Sequence, residues 1–111
     1  MIYHVAITNA AEIDLDKIAM YISNELYAPE AALALLDEMD QHIVGLEQMP
    51  KKFPLVSDER LAQFNIRYVP VKNYIIFYTV DDYMREVTII RILYSKRDWI
   101  SILSSSSSVQ L

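Results

Sequence analysis

The chain has 111 residues, 53% of them hydrophobic, with one glycine, no cysteine and a net charge of −5. That suits one compact domain and excludes disulfides, thiolate catalysis and sulfur-ligated zinc. His4 and His42 each lack a second ligand at metal-binding spacing, and no apolar run reaches the 18 or so residues of a membrane span, so no metal, no cofactor and no membrane partner is expected. The N-terminus lacks a signal-peptide layout, which makes the cytoplasm the expected compartment.

Residues 2 to 8 (IYHVAIT) alternate and read as a first strand. Asn9 with Glu12 forms a candidate capping box, after which Leu15, Ile18, Ala19, Ile22 and Leu26 recur at helical spacing. Tyr27-Ala28-Pro29 breaks that helix, and Pro29 suits the first turn of the next. There Ala32, Leu36, Met39, Ile43 and Leu46 form one apolar stripe, so the two helices make a hairpin. Gly45 costs that helix about 1 kcal/mol relative to alanine unless a close neighbour needs it, and Met49-Pro50 ends it.

Residues 51 to 64 contain Pro54 and show no sustained period, which predicts a long connection with one helical turn in its second half. Three strands follow at 65–69, 74–80 and 86–94, the first ending at Pro70, joined by connectors short enough for antiparallel hairpins. Asp98 is placed to cap a final short helix through Trp99, Ile100 and Leu103. The expected fold class is α+β: a helical hairpin packed on one face of a small, mainly antiparallel sheet in the order β-α-α-β-β-β, with a short C-terminal helix. Residues 1–103 form its single domain, and the serine-rich stretch 104–111 is read as a disordered tail.

Residues 1–50 hold nine acids and one base, Lys17, whereas residues 51–111 hold nine bases and six acids, so the halves carry −8 and +3. The C-terminal half is therefore the side to present to an anionic partner, unless its cations are spent on internal salt bridges. Alternation along the last strand groups Val87, Ile89, Arg91 and Leu93 against Thr88, Ile90, Ile92 and Tyr94. The second set suits the face under the helices, which sends Arg91 to an open face together with Arg67. Lys72, Lys96 and Arg97 flank it in turns. These cations and Trp99 are the candidate partner-binding residues. Pairing of the cations with Asp81, Asp82, Glu86 or Asp98 is the competing reading. Tyr68, Tyr74, Tyr78 and Tyr94 suit base stacking or proton relay as well as ordinary strand packing.

The stretches "ALALLDEMDQHIVGLEQMP", "FPLVSDERL", "NIRYVPVKNYIIFYTVDD" and "VTIIRILYSKRDW" resemble the RelE/ParE superfamily of toxins from bacterial type II toxin-antitoxin modules, over residues 2 to 103. The resemblance implies a partner antitoxin, and its ParE branch, the nearer of the two, implies inhibition of DNA gyrase by binding. Its RelE branch implies cleavage of mRNA on the ribosome, with Arg67, Arg91, Tyr94 and Arg97 as the candidate catalytic residues. Here the chain departs from that branch. The arginine that RelE-like enzymes carry after the central-strand tyrosine is Ile75, following Tyr74, and Leu103 stands where a terminal tyrosine is found. Arg97 and Lys96 match the basic pair after the last strand. Half of such a set supplies little proton transfer or charge stabilisation. A retired toxin kept as an antitoxin-binding protein is the third reading. A homodimer and a toxin-antitoxin hetero-oligomer are the assemblies it leaves open.

Overall fold

A computed structural model of the chain describes residues 2–105. In chain order it comprises β1 (His4–Ile7), α1 (Asn9–Met20), a π-helical turn (Tyr21–Glu25), α2 (Pro29–Gly45), α3 (Glu59–Ala62), β2 (Arg67–Val71), β3 (Tyr74–Asp81), β4 (Glu86–Tyr94) and α4 (Trp99–Ser105). The four strands form one sheet in the order β1-β4-β3-β2, with β1 parallel to β4 and the other pairs antiparallel. The α+β arrangement of a hairpin on a mainly antiparallel sheet, closed by a short helix, is the one the sequence predicts.

Local chemistry sets the boundaries. The cap of α1 is Thr8, not Asn9: its hydroxyl oxygen accepts the Ala11 N–H at 3.1 Å while itself donating to the Ile90 carbonyl at 3.0 Å. Thr8 wins because one hydroxyl there satisfies an orphan helix donor and a strand acceptor together. Asp58 caps α3, the single helical turn predicted for the long connection. Strand β2 runs through Pro70 instead of ending before it. Ile66 and Tyr68 direct their backbone bonds outward to Val56 and Pro54, so by alternation the nitrogen of Pro70 also faces away from β3 and no ladder bond is lost. Helix α4 includes Ser104 and Ser105, two residues beyond the predicted domain end; the rest of the serine-rich stretch lies outside the described residues.

Both faces of the sheet are covered. The hairpin packs Ala11, Ile22, Ala32, Leu35, Met39, Ile43 and Leu46 on Val69, Val71, Ile76, Tyr78, Val87, Ile89 and Ile92. On the other face Val56, Leu61, Ile66 and Leu103 bury Phe77, Ile90 and Leu93, with Trp99 stacked 5.3 Å from Phe77. The open basic face expected from the sequence is thus closed by the 54–66 connection and α4, whose apolar residues would otherwise face water. The faces of β4 also differ from simple alternation. The pairing shifts from Phe77–Arg91 to Tyr78–Ile89, leaving Ile90 as the extra residue of a bulge, so Ile89 and Ile92 face the hairpin while Ile90 and Leu93 face α4.

Candidate functional site

Parallel β1 pairs with β4 only as far as Ile89, which leaves the distal half of β4 with an uncovered edge. Helix α1 supplies its partners. Thr8 donates from its backbone to the Ile89 carbonyl and from its side chain to that of Ile90; one and a half turns on, Asp14 accepts the Ile92 N–H at 2.9 Å. The same carboxylate grips Arg91 at both oxygens, 2.7 Å from Nε and 2.9 Å from Nη2. Asp14 is the one buried charged residue among the described core, and its hydrogen bond holds the Arg91 guanidinium still more firmly protonated.

Arg91 therefore neither sits on an open face nor pairs with Asp81, Asp82, Glu86 or Asp98. The other predicted cations scatter as well. Arg67 donates to the Phe53 carbonyl at 2.6 Å on the hairpin side of the sheet, beside Tyr78. Asp82 instead meets Lys51 and the Tyr3 hydroxyl. Asp98 caps α4 by accepting the N–H and hydroxyl of Ser101, which hold its carboxyl below the usual range. Trp99 lies half-buried against Phe77, and Ile75 joins the apolar cluster on that same face. Of the RelE-like set, Arg67 is bonded to the Phe53 carbonyl and Arg91 to Asp14, whereas Tyr94 and Arg97 line one groove.

What does converge is a groove of about 620 Å³ where the distal ends of α1, β3 and β4 meet, lined by Lys17, Ile18, Tyr21, Leu26, Asn73, Tyr74, Tyr94 and Arg97. The Tyr74 and Tyr94 rings meet edge to face at 5.7 Å, and burial, then the neighbouring Tyr21 and Tyr94 phenols, push the Tyr74 phenol up. The Ser95 N–H donates to the Asn73 carbonyl at 2.8 Å, which fixes the β2–β3 turn to the end of β4. A second groove of about 330 Å³ shares Leu26, Asn73 and Tyr74 and continues past Ala31 and Ala34 to Lys72, whose ammonium lies 3.8 Å from Glu38. Lys96 and Arg97 stay exposed in the turn after β4. Of the residues singled out from sequence, Lys72, Tyr74, Tyr94 and Arg97 thus share this end of the molecule. Asp14, Lys17, Tyr21 and Asn73 were missed. Asp14 had a signal, an acid three residues from Ala11 on the inward stripe of an amphipathic helix; the others depend on tertiary contact.

Residues 5–99 match the family model described as the ParE toxin of the type II toxin-antitoxin system parDE. The chain belongs to this toxin family. Among solved structures it is similar to a chain of the chromosomal ParDE toxin-antitoxin system from P. aeruginosa, at 21% identity and a TM-score of 0.69, covering 86% of this chain and 98% of that one. It is also similar to a chain of the toxin-antitoxin complex RelBE2 from Mycobacterium tuberculosis (20% identity, TM-score 0.59, 85% and 99% covered). A mutant of the E. coli toxin RelE in the free state gives 12% identity and a TM-score of 0.59, with 92% and 93% covered. At these identities the structures share the fold with this ParE-family chain. No curated protein matches it. No helix of the described residues is long and apolar enough to cross a membrane.

Proposed function

We propose that this ParE-family toxin arrests growth by binding DNA gyrase in the cytoplasm and is neutralised by a cognate antitoxin. The observation that carries the binding reading is the commitment of Arg91 to Asp14. A guanidinium held bidentately by a buried carboxylate is not available to a scissile phosphate, and breaking that pair is costly. With Ile75 packed into an apolar cluster, the position after Tyr74 adds no cation to stabilise charge in phosphodiester cleavage. Contact with the target falls to the exposed cations Lys72, Lys96 and Arg97 around the end of β4. The antitoxin segment, folding as it binds, covers apolar side chains left exposed on the hairpin, such as Ile13, Met20, Leu26 and Leu33.

The test is a supercoiling assay with purified gyrase and toxin. Inhibition that is relieved by antitoxin supports the reading, and gyrase unaffected at high toxin excess refutes it. The fold shared with RelE favours one alternative, a ribosome-dependent mRNA endoribonuclease. That activity predicts codon-localised cuts that require ribosomes and vanish in Arg97→Ala.

A further inference from the structure

The groove at the end of β4 carries two cations, Lys17 and Arg97, and two acids close to them in the chain are engaged elsewhere. Asp14, three residues before Lys17 on the helix, is taken by Arg91 and the Ile92 N–H. Asp98, adjacent to Arg97, is taken by Ser101. Among the described residues no carboxylate lies within ion-pair distance of either Lys17 or Arg97, and no carboxylate lines the groove. In a chain of net charge −5, two such cations at one concave site mark a place for an anion.

The rest of the lining defines what the anion is attached to. Tyr21, Tyr74 and Tyr94 bring aromatic rings and hydroxyls to the lining, the Tyr74 and Tyr94 rings packed edge to face, while Asn73 carries an amide with both a donor and an acceptor, and Ile18 and Leu26 are apolar. Aromatic rings stack on planar bases whatever their sequence, and an amide matches a base edge. The volume, about 620 Å³, falls within the range of roughly 300–1,000 Å³ that small-molecule sites occupy. We infer that this groove binds a nucleoside phosphate, with the base against the tyrosines and Asn73 and the phosphate at Lys17 and Arg97. Arg97 is shared with the target contacts assigned above, but the site recognises a free nucleotide whether or not gyrase is inhibited.

The experiment is titration of the full chain at low salt with ADP, adenosine, inorganic phosphate and hexaglutamate, followed by amide and side-chain NMR shifts. The site predicts saturable shifts at Tyr21, Asn73, Tyr74 and Tyr94 with ADP, at a Kd of roughly 0.1–1 mM, and binding at least about tenfold weaker for adenosine or phosphate alone. Lys17→Gln with Arg97→Gln, both surface changes, weakens ADP by about tenfold or more while leaving adenosine binding unchanged. Tyr94→Leu weakens ADP and adenosine alike. Absence of shifts in the groove at about 10 mM ADP overturns the assignment. So does hexaglutamate binding more tightly than ADP, which would make the groove a peptide surface.

Discussion

Replacing Asp14 by alanine removes three contacts at once, two to Arg91 and one to the Ile92 N–H. The amide is left in the core without its acceptor, and the guanidinium, whose side chain is 19% exposed, loses its counter-charge. Breaking a buried ion pair from one side costs about 3–5 kcal/mol, and an orphaned buried donor about 1–3 kcal/mol. The two are not additive here, because partial exposure lets water reach Arg91, so a total of about 3–4 kcal/mol is expected. For a domain of this size that lowers Tm by roughly 12–25 °C. Arg91→Met keeps the Asp14 bond to Ile92 and costs less, about 2 kcal/mol, although it strands the carboxylate. Urea unfolding of both single variants and the double variant closes a cycle, in which a coupling energy of at least 1 kcal/mol is expected. A cost below about 1 kcal/mol for Asp14→Ala, or additivity within about 0.5 kcal/mol, refutes the view that this pair holds α1 to the free edge of β4.

A methyl group added at Gly45 meets nothing within 4 Å, so the glycine serves no close approach and Gly45→Ala stabilises the toxin by about 0.5–1 kcal/mol in denaturant melts. Burial pushes the Tyr78 phenol, which donates to the Pro50 carbonyl at 2.7 Å, up to about 12. Because the raised pKa favours the protonated folded form, this contribution is intact below the ordinary tyrosine value near 10. It is lost as pH rises from there to about 12, and Tyr78→Phe removes that alkaline slope from a pH series of urea midpoints. Asp82 has the opposite sign: hydrogen bonds from Lys51 and then Tyr3 lower its pKa, so its contribution is present above the ordinary aspartate range and fades as pH falls through the folded value. Asp82→Asn flattens that acid limb. Lys96→Ala and Arg97→Ala leave stability within about 0.5 kcal/mol, measured by thermal melts, while weakening inhibition in the supercoiling assay.

The sequence by itself determined the elements, since period, caps and turn chemistry are local. The Pro29 start of α2, the Asp98 cap and the strand at β3 stand where the residue pattern puts them. The stripe of α2 holds at Ala32, Met39, Ile43 and Leu46, with Leu35 buried in place of Leu36. The family was legible too, because its pattern of strands and helices is spelled out along the chain. What the sequence could not decide was which face of the sheet is free and which cations are spent. A single bulge at Ile90 redistributes the side chains of β4, and its position depends on the pairing with Phe77 and Tyr78. The pairing of Arg91 with Asp14 joins residues 77 positions apart and follows from β1 ending before β4 does. Charge counted along the chain therefore pointed to a broad basic face. Packing closed that face with α4 and the 54–66 connection, neutralised Arg91 from within, and left Lys17 and Arg97, without an ion pair among the described residues, beside three tyrosines. Tertiary structure made that choice because a buried amide and a buried guanidinium must both find an acceptor, and one aspartate on the neighbouring helix could satisfy the two.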